Sequence, residues 1–324
     1  MLPVIDISPL RATDPEARRD VARRIGAACR TTGFFYARGH GVGDDVIADV
    51  RAAQEAFFAQ PAAAKERYTR REGVYRGYIP VTPFGRNPEG VPPALYEAFI
   101  VGEDPAPDDP EVIATAGLYG PNVWPDAPAG FREAVEAYRH AVNRVATDLI
   151  GAFALALDQE EDVLAGLFTH QLSNISLLHY LSRPGTEDAP PDALACHRDT
   201  NAITVLLPSP VGGLEVERPD GTFVPVPPEP GCFVVNIGNM MECWSGGRFR
   251  STMHRVHPPR DRERYSIGYF AVPDYATVVE PLPGLPVTGA PEDMAPRHAG
   301  HDLAGFVAAF DRHMREHAGA GAAY

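Results

Sequence analysis

Apolar residues follow two different patterns along the chain, and the change comes near its middle. In the first half they recur at helical spacing. Asp14-Pro15 has the form of an N-cap followed by proline at the first helical position, and Val21, Ile25 and Ala28 then share one face. A second stripe runs through Val46, Val50, Ala53 and Phe57 and ends near Pro61. A longer one follows Pro128, with Phe131, Val135, Tyr138, Val142, Val145 and Leu149 at the same spacing. In the second half, apolar residues come in short runs rich in Val, Ile, Phe and Tyr. These runs predict strands at Ile175–Tyr180, Ile203–Leu207, Leu214–Glu217, Phe223–Val226, Cys232–Ile237, Met253–Val256 and Tyr265–Val272. Gly212-Gly213 and Asp220-Gly221 supply turns. A last helical stripe holds Leu303, Phe306, Val307 and Phe310. The expected fold is α+β, a sandwich or jelly roll with a mainly helical N-terminal part packed on it and a C-terminal helix against it.

Composition narrows the function classes. Proline is abundant and clusters at Pro80–Pro93, Pro105–Pro128, Pro184–Pro191, Pro225–Pro230 and Pro273–Pro291, which are expected to be loops that shape a site. The net charge of −14 argues against a nucleic-acid partner, because phosphate binding needs Lys and Arg in excess. Lys65 is the only lysine, so arginine carries nearly all positive charge. No apolar run approaches the roughly 20 residues that cross a bilayer. The opening Met1-Leu2-Pro3-Val4-Ile5-Asp6 lacks the pattern of a secretory leader, so the expected location is the cytoplasm, with no membrane partner. Cys29, Cys196, Cys232 and Cys243 show no CxxC spacing and read as reduced thiols. Nothing in the sequence marks an oligomeric state.

The candidate chemistry lies among the strands. In His197-Arg198-Asp199 two ligand types stand at i and i+2, which on an extended strand point to one side. His254 lies on a later predicted strand that sheet pairing could bring to the same place. Two imidazoles and one carboxylate on one octahedral face leave three positions open and suit Fe(II), whereas a closed zinc site favours four ligands and often Cys. The alternatives are a hydrogen-bonded sheet histidine at 254 and a ligand role for the nearby His257. Arg264 and Ser266 again stand two apart on a strand. A guanidinium with an adjacent hydroxyl can clamp a carboxylate. A surface ion pair within the charged stretch Arg260–Arg264 is the competing reading.

Longer motifs then carry a family resemblance. They are Pro3-Val4-Ile5-Asp6, Gly33-Phe34-Phe35-Tyr36 through Gly39-His40-Gly41-Val42, Tyr75-Arg76-Gly77-Tyr78, and Gly120-Pro121-Asn122-Val123-Trp124-Pro125. The most specific is Val235-Asn236-Ile237-Gly238-Asn239-Met240-Met241-Glu242, followed by Trp244 and by Gly247 through His254-Arg255-Val256. With these, most of the chain resembles the isopenicillin N synthase-like family of Fe(II)/2-oxoglutarate oxygenases. The resemblance implies a double-stranded β-helix (jelly-roll) core and iron ligation by His197, Asp199 and His254. It implies 2-oxoglutarate binding by Arg264 and Ser266, with Tyr180 beside the co-substrate, and O₂ as second co-substrate. It also implies one oxygenase domain over 1–324, with a helical N-terminal region at 1–130 and a jelly-roll core at 170–275 carrying both sites. Ser176, Leu181 and Asn239 depart from the family's usual residues, as do Thr200-Asn201 after the carboxylate.

The implied reaction is oxidation of a small-molecule metabolite, plausible in specialised or antibiotic biosynthesis. Hydroxylation is the default outcome; desaturation, epoxidation or cyclisation share its chemistry. Tyr75, Arg76, Tyr78, Thr200, Asn201 and Phe270 are candidate substrate walls, together with Phe99 and Phe306. Core packing competes at Tyr78, Phe99, Phe270 and Phe306, and a salt bridge at Arg76. The rival functions are an iron oxidase of the same fold that needs no 2-oxoglutarate, a non-enzymatic binding protein on this scaffold, and a zinc or manganese cupin-type enzyme.

Overall fold

The computed structural model describes residues 2–83, 95–104, 106, 108–115, 118–182, 194–257 and 261–316. Two sheets face each other. The larger is built from β1 (Val4–Asp6), β2 (Phe34–Arg38), β3 (Gly77–Pro83), β4 (Leu95–Gly102), β5 (Asn174–Tyr180), β7 (Ile203–Leu207), β10 (Cys232–Ile237) and β12 (Arg264–Ala271), in the order β1-β2-β10-β7-β12-β5-β4-β3. The smaller contains β6 (Leu194–His197), β8 (Leu214–Glu217), β9 (Phe223–Pro225) and β11 (His254–Val256), in the order β6-β11-β8-β9. This is the expected jelly-roll core.

Helices cover the outer face of the large sheet. They are α1 (Pro15–Thr31), α2 (Asp44–Phe58) and α3 (Phe131–Ala156). Asp14 caps α1 by accepting from the Glu16 backbone N–H, with Pro15 at the first helical position, as the sequence pattern predicts. The predicted stripes are the buried faces: Val21, Ile25, Phe57, Val135, Val142 and Leu149 pack onto Ile175, Leu177, Val205 and Ile267 of the sheet. A second core lies between the sheets, where Tyr36, Ile100, Val216 and Val234 meet. Strand β10 serves both, and all six of its residues are buried. Two further helices complete the site: the short α4 (Asn239–Trp244) and the C-terminal α5 (Ala299–Glu316). Among the described residues no helix is long and apolar enough to cross a membrane. All four cysteines are free.

Two expectations change. The first half is less helical than its stripes imply, since β1 to β4 supply half of the large sheet. Strand β2 reads Phe-Phe-Tyr-Ala and is buried on both faces, so it shows no alternation that would mark it as a strand. Pro80 lies in β3 rather than in a loop. That strand is the sheet edge and its pairing with β4 is irregular between Ile79 and Thr82, where a missing N–H costs no ladder bond. The other proline-rich stretches near 84–93 and 184–191 lie outside the described residues.

Candidate functional site

A cavity of about 210 Å³ opens between the two sheets. Its floor follows from strand alternation. Asn174, Ser176, Leu178 and Tyr180 of β5, and Arg264, Ser266, Gly268 and Phe270 of β12, all face it. The apolar residues between them, such as Ile175, Leu177 and Ile267, face the helices. The register sets Arg264 opposite Tyr180 and Phe270 opposite Asn174.

At one wall stand His197, Asp199 and His254, whose ligand atoms all lie within 4.8 Å of one another. Antiparallel pairing of β6 with β11 puts His197 directly opposite His254, with ring centroids 4.4 Å apart. Asp199 Oδ1 is 3.6 Å from His197 Nε2 and 3.7 Å from His254 Nε2. The i, i+2 strand geometry expected for His197 and Asp199 is not what aligns them. Strand β6 ends at His197, and Asp199 sits in the bend beyond it. That bend is stitched to the start of α4: the Asn239 N–H donates to the Asp199 carbonyl at 2.8 Å and the Met240 N–H to the Asn201 carbonyl at 3.1 Å. The side chain is then aimed by the large sheet. Asp199 Oδ2 accepts from Thr204 Oγ1 at 2.5 Å and from Asn236 Nδ2 at 2.7 Å, which leaves Oδ1 turned to the imidazoles.

Electrostatics prepare these groups for a cation. Burial drives the His254 pKa down to about 4, and its Nδ1–H donates to the Thr252 carbonyl at 3.1 Å, so Nε2 keeps its lone pair at neutral pH. Burial works to raise the Asp199 pKa. The two histidines and the bonds from Thr204 and Asn236 outweigh it and hold the carboxyl below its ordinary range. A buried carboxylate braced through its second oxygen, beside two imidazoles, matches what an octahedral metal with open positions needs.

Arg264 is 2% exposed and has no carboxylate partner among the described residues. Its Nε donates to the Gly212 carbonyl at 2.7 Å, its Nη1 to Ser266 Oγ at 3.1 Å, and its guanidinium lies 4.7 Å from the Tyr180 ring centre. Burial in this low-dielectric site lowers its pKa. The Gly212-Gly213 turn matters here. Both have positive φ, and a Cβ at Gly213 would stand 2.6 Å from the His257 carbonyl oxygen and 3.3 Å from Arg264 Nε.

Of the candidate substrate walls, Tyr75, Thr200, Asn201, Phe270 and Phe306 line the cavity. Tyr78, Phe99 and Arg76 do not. Tyr78 and Phe99 are buried on the helix side, Tyr78 donating to Glu97 there. Arg76 is enclosed behind the Tyr75 wall. His257 lies off the cavity beside Glu215, at 3.3 Å. Thr204, Asn236, Asn174 and Leu303 also belong to the site, although the sequence reading gave none of them a role there. For Thr204, Asn174 and Asn236, the last within the Val235–Glu242 motif, the available signal was a polar residue at an inward position of a buried strand; Leu303 was legible only as part of a helical stripe.

A family model for the N-terminal region of "non-haem dioxygenase in morphine synthesis" matches residues 2–127, and one for the "2OG-Fe(II) oxygenase superfamily" matches residues 172–273. The 2-oxoglutarate-Fe(II) type oxidoreductase hxnY of Emericella nidulans is 33% identical, over 83% of this chain and 78% of its own. Among solved structures, a putative 2OG-Fe(II) oxygenase family protein from Caulobacter crescentus is 28% identical with a TM-score of 0.80, over 94% of this chain and 98% of its own. A full-length Neurospora crassa protein in complex with alpha-KG and thymine shares the fold, with a TM-score of 0.81 at 23% identity over 95% and 97% of the two chains. On the strength of its jelly roll, its histidine–aspartate–histidine cluster and these matches, the chain belongs to the 2-oxoglutarate- and Fe(II)-dependent oxygenases of the isopenicillin N synthase-like superfamily.

Proposed function

We propose that in this 2-oxoglutarate-dependent dioxygenase His197, Asp199 and His254 hold Fe(II), while Arg264, Ser266 and Tyr180 receive the distal carboxylate of 2-oxoglutarate. The observation that carries the reading is the pairing, in one cavity, of a three-ligand cluster with a buried guanidinium that has no anion among the described residues. Iron, when bound, supplies the O₂-activating redox chemistry that no side chain can provide. The protein's residues do the rest. Arg264 neutralises and orients the co-substrate by a two-pronged contact, and Ser266 adds a donor. Thr204 and Asn236 keep the carboxylate ligand in one pose. Phe270, Leu303 and Phe306 exclude water from the substrate side.

The overall reaction converts 2-oxoglutarate and O₂ to succinate and CO₂, one oxygen atom entering succinate and the other the small-molecule substrate. Hydroxylation is the proposed default. The test is succinate release by purified protein with Fe(II), O₂ and 2-oxoglutarate, followed by a substrate screen scored by mass for gain of one oxygen or loss of two hydrogens. Oxidation of a substrate with no 2-oxoglutarate consumed would replace this reading with an oxidase of the same fold.

A further inference from the structure

The cavity has a second polar end that the chemistry above leaves unused. Arg264 and Asn174 mark the two ends of the β5–β12 floor, six ladder positions apart, or about 20 Å along the strands. At the Asn174 end a buried acceptor is left over. Asn174 is 3% exposed, and its Oδ1 has no hydrogen-bond partner among the described residues. Ser176, two residues on and facing the same cavity, is also buried. Gly268, opposite Ser176, presents no side chain, and the Phe270 ring lies over it: a Cβ at Gly268 would stand 3.0 Å from that ring.

Behind this end lies an orphaned cation. Asn174 pairs with Gly102 of β4, and the position a Cβ would take at Gly102 is filled by the Arg76 guanidinium. Arg76 is 0% exposed. Its Nη1 donates to its own neighbour, the Tyr75 carbonyl, while Nε and Nη2 have no acceptor among the described residues. The nearby acids are engaged elsewhere: Glu103 accepts from Arg139 at 2.7 Å, and Asp104 from the Asn122 N–H at 3.3 Å. A buried guanidinium without an anion is costly unless a ligand completes it. Asn201 also has an orphan Oδ1, but that atom is set against Gly238, so it is not part of this end.

We propose that Asn174 and Ser176, with Arg76 behind them, form the substrate subsite and select a small monocarboxylic acid whose apolar body lies against Phe270, Leu303 and Phe306. The Asn174 Nδ2–H and the Ser176 hydroxyl donate to the carboxylate, and the orphan Asn174 Oδ1 is left to accept from Arg76. Arg76 is a positioning residue, which can turn the Asn174 amide by donating to its oxygen and which sets a positive potential at that end. The cavity then takes one carboxylate at each end, co-substrate at Arg264 and substrate at Asn174, with the reacting carbon between them. This rests on the oxygenase reading.

The test uses the full chain loaded anaerobically with Fe(II) and saturating 2-oxoglutarate. Two matched probe pairs are titrated by calorimetry and ligand-observed NMR: hydrocinnamate with hydrocinnamamide, and cyclohexanecarboxylate with its carboxamide. Each acid is expected to bind about tenfold or more tightly than its amide, as a charge-assisted contact exceeds a neutral one. Asn174→Leu and Arg76→Met should each erase most of that preference while 2-oxoglutarate affinity stays within about twofold of wild type. Should Arg76→Met fail to fold, Asn174→Leu and Ser176→Ala carry the same readout from the cavity wall. Acid and amide binding equally, neither acid binding, or a preference that survives in Asn174→Leu overturns the proposal. Failure to bind Fe(II) and 2-oxoglutarate at all is a separate result, and it strikes the oxygenase reading instead.

Discussion

Asp199 divides its work between its two oxygens. Oδ2 is tied to Thr204 and Asn236, and Oδ1 faces the histidines. Loss of one tie lets the carboxylate rotate, and partners of this kind are typically worth roughly 10–100-fold in metal affinity. Thr204→Val, which keeps the shape, should weaken Co(II) or Fe(II) binding by about that factor and alter the Co(II) d–d spectrum, without unfolding the protein. Unchanged metal affinity would show that Asn236 alone suffices. Arg264 permits a sharper prediction. Arg264→Leu removes the positive charge at its end of the floor, so the bound carboxylate loses a desolvated partner at a cost of about 2–5 kcal/mol. The 2-oxoglutarate KM should rise at least about thirtyfold at the low end of that range. Iron affinity should hardly move, which separates this effect from collapse of the metal cluster.

Among the elements, β4 and β5 show how two faces of a strand pair are used. Their inward positions carry Tyr96, Tyr180, Ser176 and Asn174 to the cavity. Outward, the chain's only lysine is buried: Lys65 Nζ donates to both oxygens of Glu97, at 2.8 and 2.7 Å, and to the Phe58 carbonyl at 2.9 Å. His179 Nδ1 and Tyr78 complete the carboxylate's partners. This network fastens the outer face of the two strands to the segment after α2. Lys65→Met strands a buried carboxylate, and about 3–5 kcal/mol of stability should go with it. Burial works to raise the Glu97 pKa, but the bonds from His179, Lys65 and Tyr78 bring it below its ordinary value. A depressed folded pKa gives stability that is present above the unfolded value near 4.5 and is lost as pH falls through the folded one. Thermal unfolding should therefore show a fall in wild-type Tm below that pH, with a smaller fall in Lys65→Met. Equal slopes in the two proteins would refute the assignment.

For the molecule as a whole, the C-terminal helix α5 completes the cavity by lending it Leu303 and Phe306, with Tyr75 packed edge-on against Phe306. Its latch is Asp311, which is buried, accepts from Arg70 Nη1 at 2.5 Å and from the Gly73 N–H at 3.0 Å, and so pins the helix to the loop before β3. Asp311→Ala should loosen α5. Limited proteolysis near residues 299–316 should quicken and substrate KM should rise, while 2-oxoglutarate KM stays near wild type because Arg264 and Ser266 sit on β12. Proteolysis at the wild-type rate would show that apolar packing alone holds the helix.

Linear order was enough for the elements whose periodicity is one-sided and for the residue types of the chemistry. The stripes of α1, α2, α3 and α5 were legible because one face of each is apolar, and the strands at 203–207, 214–217 and 232–237 because turn residues bound them. Motif order exposed the ligand-type residues at 197, 199 and 254. Strand β2 was hidden by burial on both faces, and β3 by its prolines. How Asp199 is aimed emerges only in three dimensions, because Thr204 and Asn236 reach it from the opposite sheet. The same holds for Arg76 behind Asn174, distant in sequence, since strand pairing rather than local spacing brings Gly102 beside that asparagine. Local patterns record what each segment buries; which buried polar groups are left without a partner depends on contacts between segments that no single stretch of the chain contains.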